Sequence, residues 1–297
     1  MKWCKEKSWY SHNIRDSSFI SPANIFRNNE YRGLDYIKKK IVPYLGGGET
    51  KVGNESIYQQ REEFEKLKGS KILVIGAGPS TLDVEYNPED YDYVFSCNHF
   101  FRNEKVKKIN MFAVFLGDEV DLSNETLNQY LSDNPETFVC FENIGSPASK
   151  VDFKQKYGDR VFWAHTRYHS KIGAMVRIVS FLCAFQPESI SFVGMDGPIV
   201  YAKREEHFHS FETAKERYGS TGTIESVTKS EKAKMNKYRE QYLEFWDYVL
   251  HDVGSNISFF NLGHRHPCNI TTQILTEKLG EQYVDYLSNP KKRNEHG

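Results

Sequence analysis

From residue 71 onward the chain is punctuated by short apolar runs at 71–76, 92–97, 111–116, 137–141, 160–164, 189–193 and 256–262. Their apolar positions are nearly continuous rather than alternating, as in KILVI, MFAVFL and ISFVG. That is the pattern of strands covered on both faces. Longer segments separate the runs. Residues 171–185 are apolar on nearly every face (Ile172, Met175, Val176, Ile178, Val179, Leu182), so they predict a helix buried against the sheet. Residues 231–253 carry one stripe, Met235, Tyr238, Tyr242, Phe245 and Val249, and predict a surface helix whose aromatic face turns toward the core. Strands and helices in alternation are the signature of an α/β protein with a parallel sheet.

Residues 1–68 break this rhythm. They mix aromatic and polar side chains, reach a glycine run at 46–48 and pass into a charged stretch, 55–67, that reads as helical. The segment is too apolar for a disordered tail. The expected organisation is therefore an N-terminal extension over 1–68, packed through its aromatic residues on one main domain over 69–297.

The first run leads straight into a glycine turn and a helix start, KILVIGAGPS at 71–80. Gly76 and Gly78 permit a tight turn and a close approach to a ligand, Pro79 suits the first helical position, and Ser80 or Thr81 adds a hydroxyl. A helix beginning there offers free N–H groups and a positive dipole end to a phosphate. An ordinary strand-to-helix turn uses the same residue types. The dinucleotide fingerprint G-x-G-x-x-G needs a third glycine where Thr81 stands, and an acidic residue at the end of the second strand where Asn98 stands. Both absences argue against an NAD enzyme and for a nucleotide site of another kind.

Ligands of doubly wound sheets sit outside the carboxyl ends of the strands. That rule gathers residues 76–81, 97–100, 117–119 and 194–198 on one rim, with Asn98, Asp118, Gly194 and Asp196 facing a common crevice. Each is also an ordinary turn residue. Beyond Asp196, residues 197–228 show weak periodicity and hold Tyr201, Lys203, Arg204, His207, His209 and Tyr218. A segment this long without a regular pattern is often a functional lid, with an exposed loop as the alternative. The two histidines, beside basic and phenolic groups, suit proton abstraction and neutralisation of a leaving phosphate. Their i, i+2 spacing, with no third ligand in sight, does not make a metal site.

Composition narrows the classes. With 39 basic against 40 acidic residues, the net charge of −1 gives no global field to attract nucleic acid or an anionic membrane. No run approaches the ~18 apolar residues of a membrane span, and MKWCKEKSWY lacks the core of a signal peptide. The expectation is a cytoplasmic protein, with peripheral association at the inner membrane left open. Cys4, Cys97, Cys140, Cys183 and Cys268 are scattered, without C-x-x-C pairs or histidines at zinc spacing, so neither a disulfide framework nor structural zinc is expected. Cys97, Cys140 and Cys183 fall in apolar patterns as small core residues.

The order KILVIGAGPSTLD, YDYVFSCNHFF, AVFLGD, a glycine-bearing buried helix, ISFVGMD and a histidine-containing lid resembles the bacterial sialyltransferases of glycosyltransferase family 42. The resemblance covers roughly residues 71–262, and its most specific part is the pair GxGPS and CN. A wider group sharing that pair includes the 6-hydroxymethylpterin diphosphokinase-like proteins. The resemblance implies a single Rossmann-like three-layer domain with a mostly parallel sheet and a lid at about 197–228, binding CMP-sialic acid without metal and inverting the anomeric centre. It matches Gly76, Gly78, Pro79 and Ser80 to the donor-phosphate turn, Asn98 to a cytidine-contacting asparagine, and Gly194 and Asp196 to a strand-end nucleotide contact. The His209-Ser210 pair resembles the family's general-base pair. Gly117 stands where the family has a second asparagine, Lys171-Ile172 where it has Thr-Ser, and Pro198 near a phosphate-facing tyrosine.

The expected chemistry is transfer of a sialic-acid-like sugar from a CMP-linked donor to a hydroxyl of a glycan or other acceptor. His209, or His207 under a shifted register, takes the acceptor proton. Tyr201, Arg204 or Lys203 and the turn amides after Gly78 stabilise the leaving phosphate. The nucleotide sugar is a co-substrate, and no cofactor or metal is expected. The alternatives are Mg²⁺-dependent pyrophosphoryl transfer, with Asp118, Glu119 and Asp196 as metal candidates, and a non-catalytic nucleotide-binding module. Homo-oligomerisation is left open.

Overall fold

Alternation of side chains to opposite faces means that a strand apolar at every position needs cover on both sides, and the fold supplies it. The computed structural model describes residues 50–53, 56–78, 80–117, 120–142, 147–165, 174–195, 245–246 and 249–263. The seven apolar runs are strands β3 (Lys71–Ile75), β4 (Tyr93–Cys97), β5 (Ala113–Leu116), β6 (Phe138–Glu142), β7 (Val161–His165), β8 (Ser189–Val193) and β9 (Ser258–Asn261). They pair in the order β7-β6-β5-β4-β3-β8-β9, all parallel.

Even positions of β3 (Ile72, Val74) face one core with Phe95, Phe115, Phe162 and Phe192, and odd positions (Leu73, Ile75) face a second with Val114, Phe141 and Trp163. The first core is closed by α5 (Ala174–Cys183) and by Phe245, Trp246 and a π-helical turn, Val249–Val253. The second is closed by α3 (Glu125–Asp133), which contributes Leu127, Tyr130 and Leu131, and by Phe153 of α4 (Pro147–Tyr157). Asn124 caps α3 by accepting the Leu127 N–H at 3.2 Å. This is an α/β sandwich of the Rossmann-like type, with helices on both faces of a mostly parallel sheet.

The buried helix expected within 171–185 is present as α5. Of the aromatic stripe expected within 231–253, Phe245 and Val249 are buried in the core, whereas Met235, Tyr238 and Tyr242 lie outside the described residues. Cys97, Cys140 and Cys183 are free and buried. Burial pushes the Cys183 thiol far above its ordinary range. Among the described residues no helix is long and apolar enough to cross a membrane.

The sheet begins before Lys71. Strands β1 (Thr50–Gly53) and β2 (Ser56–Gln59) form an antiparallel hairpin, and β2 adds to the β7 edge through the pairs Ile57↔His165 and Tyr58↔Ala164. The stretch that read as one charged helix over 55–67 is therefore a strand followed by a single helical turn, α1 (Glu62–Glu65). The glutamates stay exposed, while Phe64 turns inward against the rings of Tyr58, Phe112, Phe138, Phe162, Phe181 and Phe185. Local propensity gave way to strand pairing with a partner more than a hundred positions away. Residues 1–49 lie outside the described residues.

Candidate functional site at the switch point of the sheet

The chain leaves β3, adds β4 to β7 on one flank, and returns to place β8 and β9 on the other. The order therefore reverses between β3 and β8, and the crevice beyond their carboxyl ends is the ligand position of open α/β sheets. The turns that follow these two strands are Gly76 to Gly78 and Gly194.

They interlock. The Gly76 N–H donates to Val193 O at 2.8 Å, and the Gly78 N–H to Gly194 O at 3.0 Å. In return the Gly194 N–H donates to Ser80 Oγ at 3.1 Å, and Thr81 Oγ1 donates to Gly76 O at 2.8 Å. Gly194 has φ +76°, and a Cβ there would lie 2.2 Å from Thr81 Oγ1 and 2.7 Å from Gly76 O. A Cβ on Gly76 would lie 2.8 Å from Gly194 O and 2.9 Å from Met175 Sδ. Neither position admits a side chain.

The geometry accounts for the departure from the dinucleotide fingerprint. Thr81 occupies the place of the third glycine because its hydroxyl closes the turn after β3, and the bare backbone it requires is found across the crevice at Gly194. Ser80 and Thr81 are wholly buried, so their hydroxyls hold the two turns together. The helix expected after Pro79 is short, α2 (Ser80–Asp83), a single turn. So few aligned peptide units carry little macrodipole, and the N–H groups of Gly76 and Gly78 are already bonded to the end of β8.

Asn98 stands one strand over, at the carboxyl end of β4. It adopts a left-handed φ of 51°, which Asn tolerates better than most residues. Its N–H donates to Phe115 O at 2.8 Å and its Oδ1 accepts the Gly117 N–H at 2.9 Å, so it straps the ends of β4 and β5. Ser96 Oγ donates to Ile75 O at 2.8 Å and ties β4 to β3 in the same way.

The end of β9 closes the other side. Leu262 N–H donates to Phe192 O, and Gly263 N–H to Asn261 Oδ1 at 2.9 Å. Gly263 lies so close to Ser80 that a Cβ would come within 2.5 Å of its Oγ. Asn261 Nδ2 is buried and has no hydrogen-bond partner among the described residues.

Of the residues singled out from the sequence, the structure thus gathers Gly76, Gly78, Ser80 and Gly194 into one interlocked unit, with Asn98 on the adjoining strand. Pro79, Asp118, Asp196, Tyr201, Arg204, His207 and His209 lie outside the described residues, as do Lys203 and Glu119. The described part of the crevice is made of neutral hydroxyl, amide and peptide groups. Among the described residues no group of three or more His, Cys, Asp or Glu could hold a metal ion. Sequence reasoning missed the clasp by Thr81 and the approach of Asn261 and Gly263. The misfit at the third glycine was the signal for the first, and only the β8–β9 pairing shows the second. No protein-family model, curated protein or solved structure matches the chain.

Proposed function

We propose that the chain is a glycosyltransferase that moves a sialic-acid-like sugar from a CMP-linked donor to a hydroxyl acceptor, without metal and with inversion. The crevice between β3 and β8 is the donor site in this reading. The observation that carries it is the interlock of two turns that exclude side chains at the switch point of a parallel sheet, the place where such sheets take nucleotides. Asn98, strapped across β4 and β5, borders the adjoining rim where a base or ribose would extend. The transfer chemistry rests on the sequence resemblance: His209, or His207, takes the acceptor proton, Tyr201 and Arg204 meet the charge of the leaving phosphate, and Asp118 and Asp196 border the donor.

The test is a thermal-shift panel of CMP, UDP, GDP and ATP with and without Mg²⁺, followed by turnover in EDTA. A ligand at 100 times its Kd stabilises by about 2.7 kcal/mol, and CMP is expected to give the largest shift. Release of CMP from a CMP-linked sugar in EDTA supports the transferase, and His209→Ala should lower that rate by about 10²–10⁴ while leaving CMP affinity unchanged. Mg²⁺-dependent transfer from ATP would replace this reading by pyrophosphoryl transfer. Binding without turnover would leave a nucleotide-binding module.

A further inference from the structure

At the opposite end of the sheet, beside the amino ends of β4 and β5, the surface opens into a cleft of about 570 Å³, within the roughly 300–1,000 Å³ of small-ligand sites. Its wall is aromatic. Tyr91, Tyr93 and Phe112 each stand partly exposed in it. The Tyr93 and Phe112 rings meet edge to face at 4.8 Å, and Phe112 is backed by Phe64, Phe95 and Phe138, which fixes its place.

Charge on the cleft is unbalanced. Glu89, Asp92 and Glu136 line it against a single cation, Lys108, while Glu136 also acts on nearby Arg160. Asp92 is anchored, because its Oδ2 accepts the Lys71 N–H at 2.7 Å. Among the described residues neither Glu89 nor Asp92 forms an ion pair.

We propose that this cleft binds a guanidinium group, either of a free small molecule or of an arginine side chain in a peptide. Ring faces attract cations electrostatically. A guanidinium is planar, weakly hydrated and able to stack on a ring while its fork meets a carboxylate, which a compact, strongly hydrated ammonium does less well. The site lies at the amino ends of the strands, away from the β3/β8 crevice, so it stands or falls independently of the proposed transferase activity.

The experiment is a ¹H–¹⁵N NMR titration of the full chain with N-acetyl-arginine amide, with Gly-Arg-Gly, and with N-acetyl-citrulline amide, which keeps the shape and removes the charge. Saturable shifts at Tyr91, Tyr93 and Phe112 are expected with the arginine probes. Binding should weaken about tenfold for citrulline and about three- to tenfold in Glu89→Gln/Glu136→Gln, whose changed side chains are both exposed. Tighter binding of Gly-Arg-Gly than of the amide identifies a peptide as the source, and equal binding a small molecule. Equal affinity for citrulline, no saturation, or an arginine affinity unchanged by the double substitution would overturn the proposal.

Discussion

A methyl group at Gly194 would meet Thr81 Oγ1 at 2.2 Å while sitting on a backbone with φ +76°, so Gly194→Ala combines a clash with torsional strain. The expected loss is about 3 kcal/mol or more in urea unfolding. Thr81→Ala in the same chain should return the part due to the clash and leave the part due to the torsion. At Asn98 the strain and the hydrogen bond separate differently. Asn98→Ala leaves the Gly117 N–H without its acceptor and should cost about 2 kcal/mol, whereas Asn98→Asp keeps an acceptor on a tolerant residue and should cost less than about 1. The aspartate variant is therefore the one whose ligand affinity can be read without a change of fold. Tyr86 presents the reverse case, a buried hydroxyl with no partner among the described residues and a pKa pushed by burial up to about 12. The folded chain holds this proton more tightly than the unfolded one, whose tyrosine titrates near ~10. The associated stability is complete below pH ~10 and is lost as pH rises toward ~12. Tyr86→Phe should flatten that alkaline decline in melting experiments and be neutral to about 1 kcal/mol stabilising at pH 7. At this scale the sequence identified the glycines and the asparagine by type. It could not show that Thr81 and Gly194 answer each other, because 113 positions separate two groups that only the sheet brings together.

Elements were legible in proportion to how completely their own residues determine them. The seven parallel strands stood out because each is apolar on both faces, a pattern that neither a surface helix nor a loop reproduces. The β1–β2 hairpin did not. Its strands are four residues long, hold polar residues such as Lys51 and Gln59, and sit on an edge where one partner decides the outcome. Phe64, the inward residue of α1, carries that region onto the core, and Phe64→Ala should cost about 3–5 kcal/mol in urea unfolding. A comparable change at exposed Glu63 on the same turn should stay within about 0.5 kcal/mol. The short α2 was over-read from its Pro and Ser start. The segment after it turns at Asn87 and Pro88 into another short helical turn, so there was no length for a longer helix to occupy.

Across the whole molecule, one sheet serves as the shared wall of two cores, so neither core survives loss of the other. Trp163 belongs to one and Trp246 to the other. ¹⁹F-labelled tryptophan signals from these two residues should vanish at the same urea concentration, and separate midpoints would mean that the two layers unfold independently. The layered architecture was readable from the alternation of strands and helices, as was the rim on which the crevice lies. The identity of the strand beside β3 was not, since it depends on the chain's return to the first strand's open side. That return also has a consequence for synthesis. The partner that completes β3, β8, is translated about 115 residues after it, roughly 6–23 s at about 5–20 residues per second. Until then the strand at the centre of the finished sheet is the outermost one of the nascent sheet, apolar on both faces and able to pair with any strand that reaches it first. For a ribosome-bound chain, its most buried strand is thus the one most in need of a chaperone.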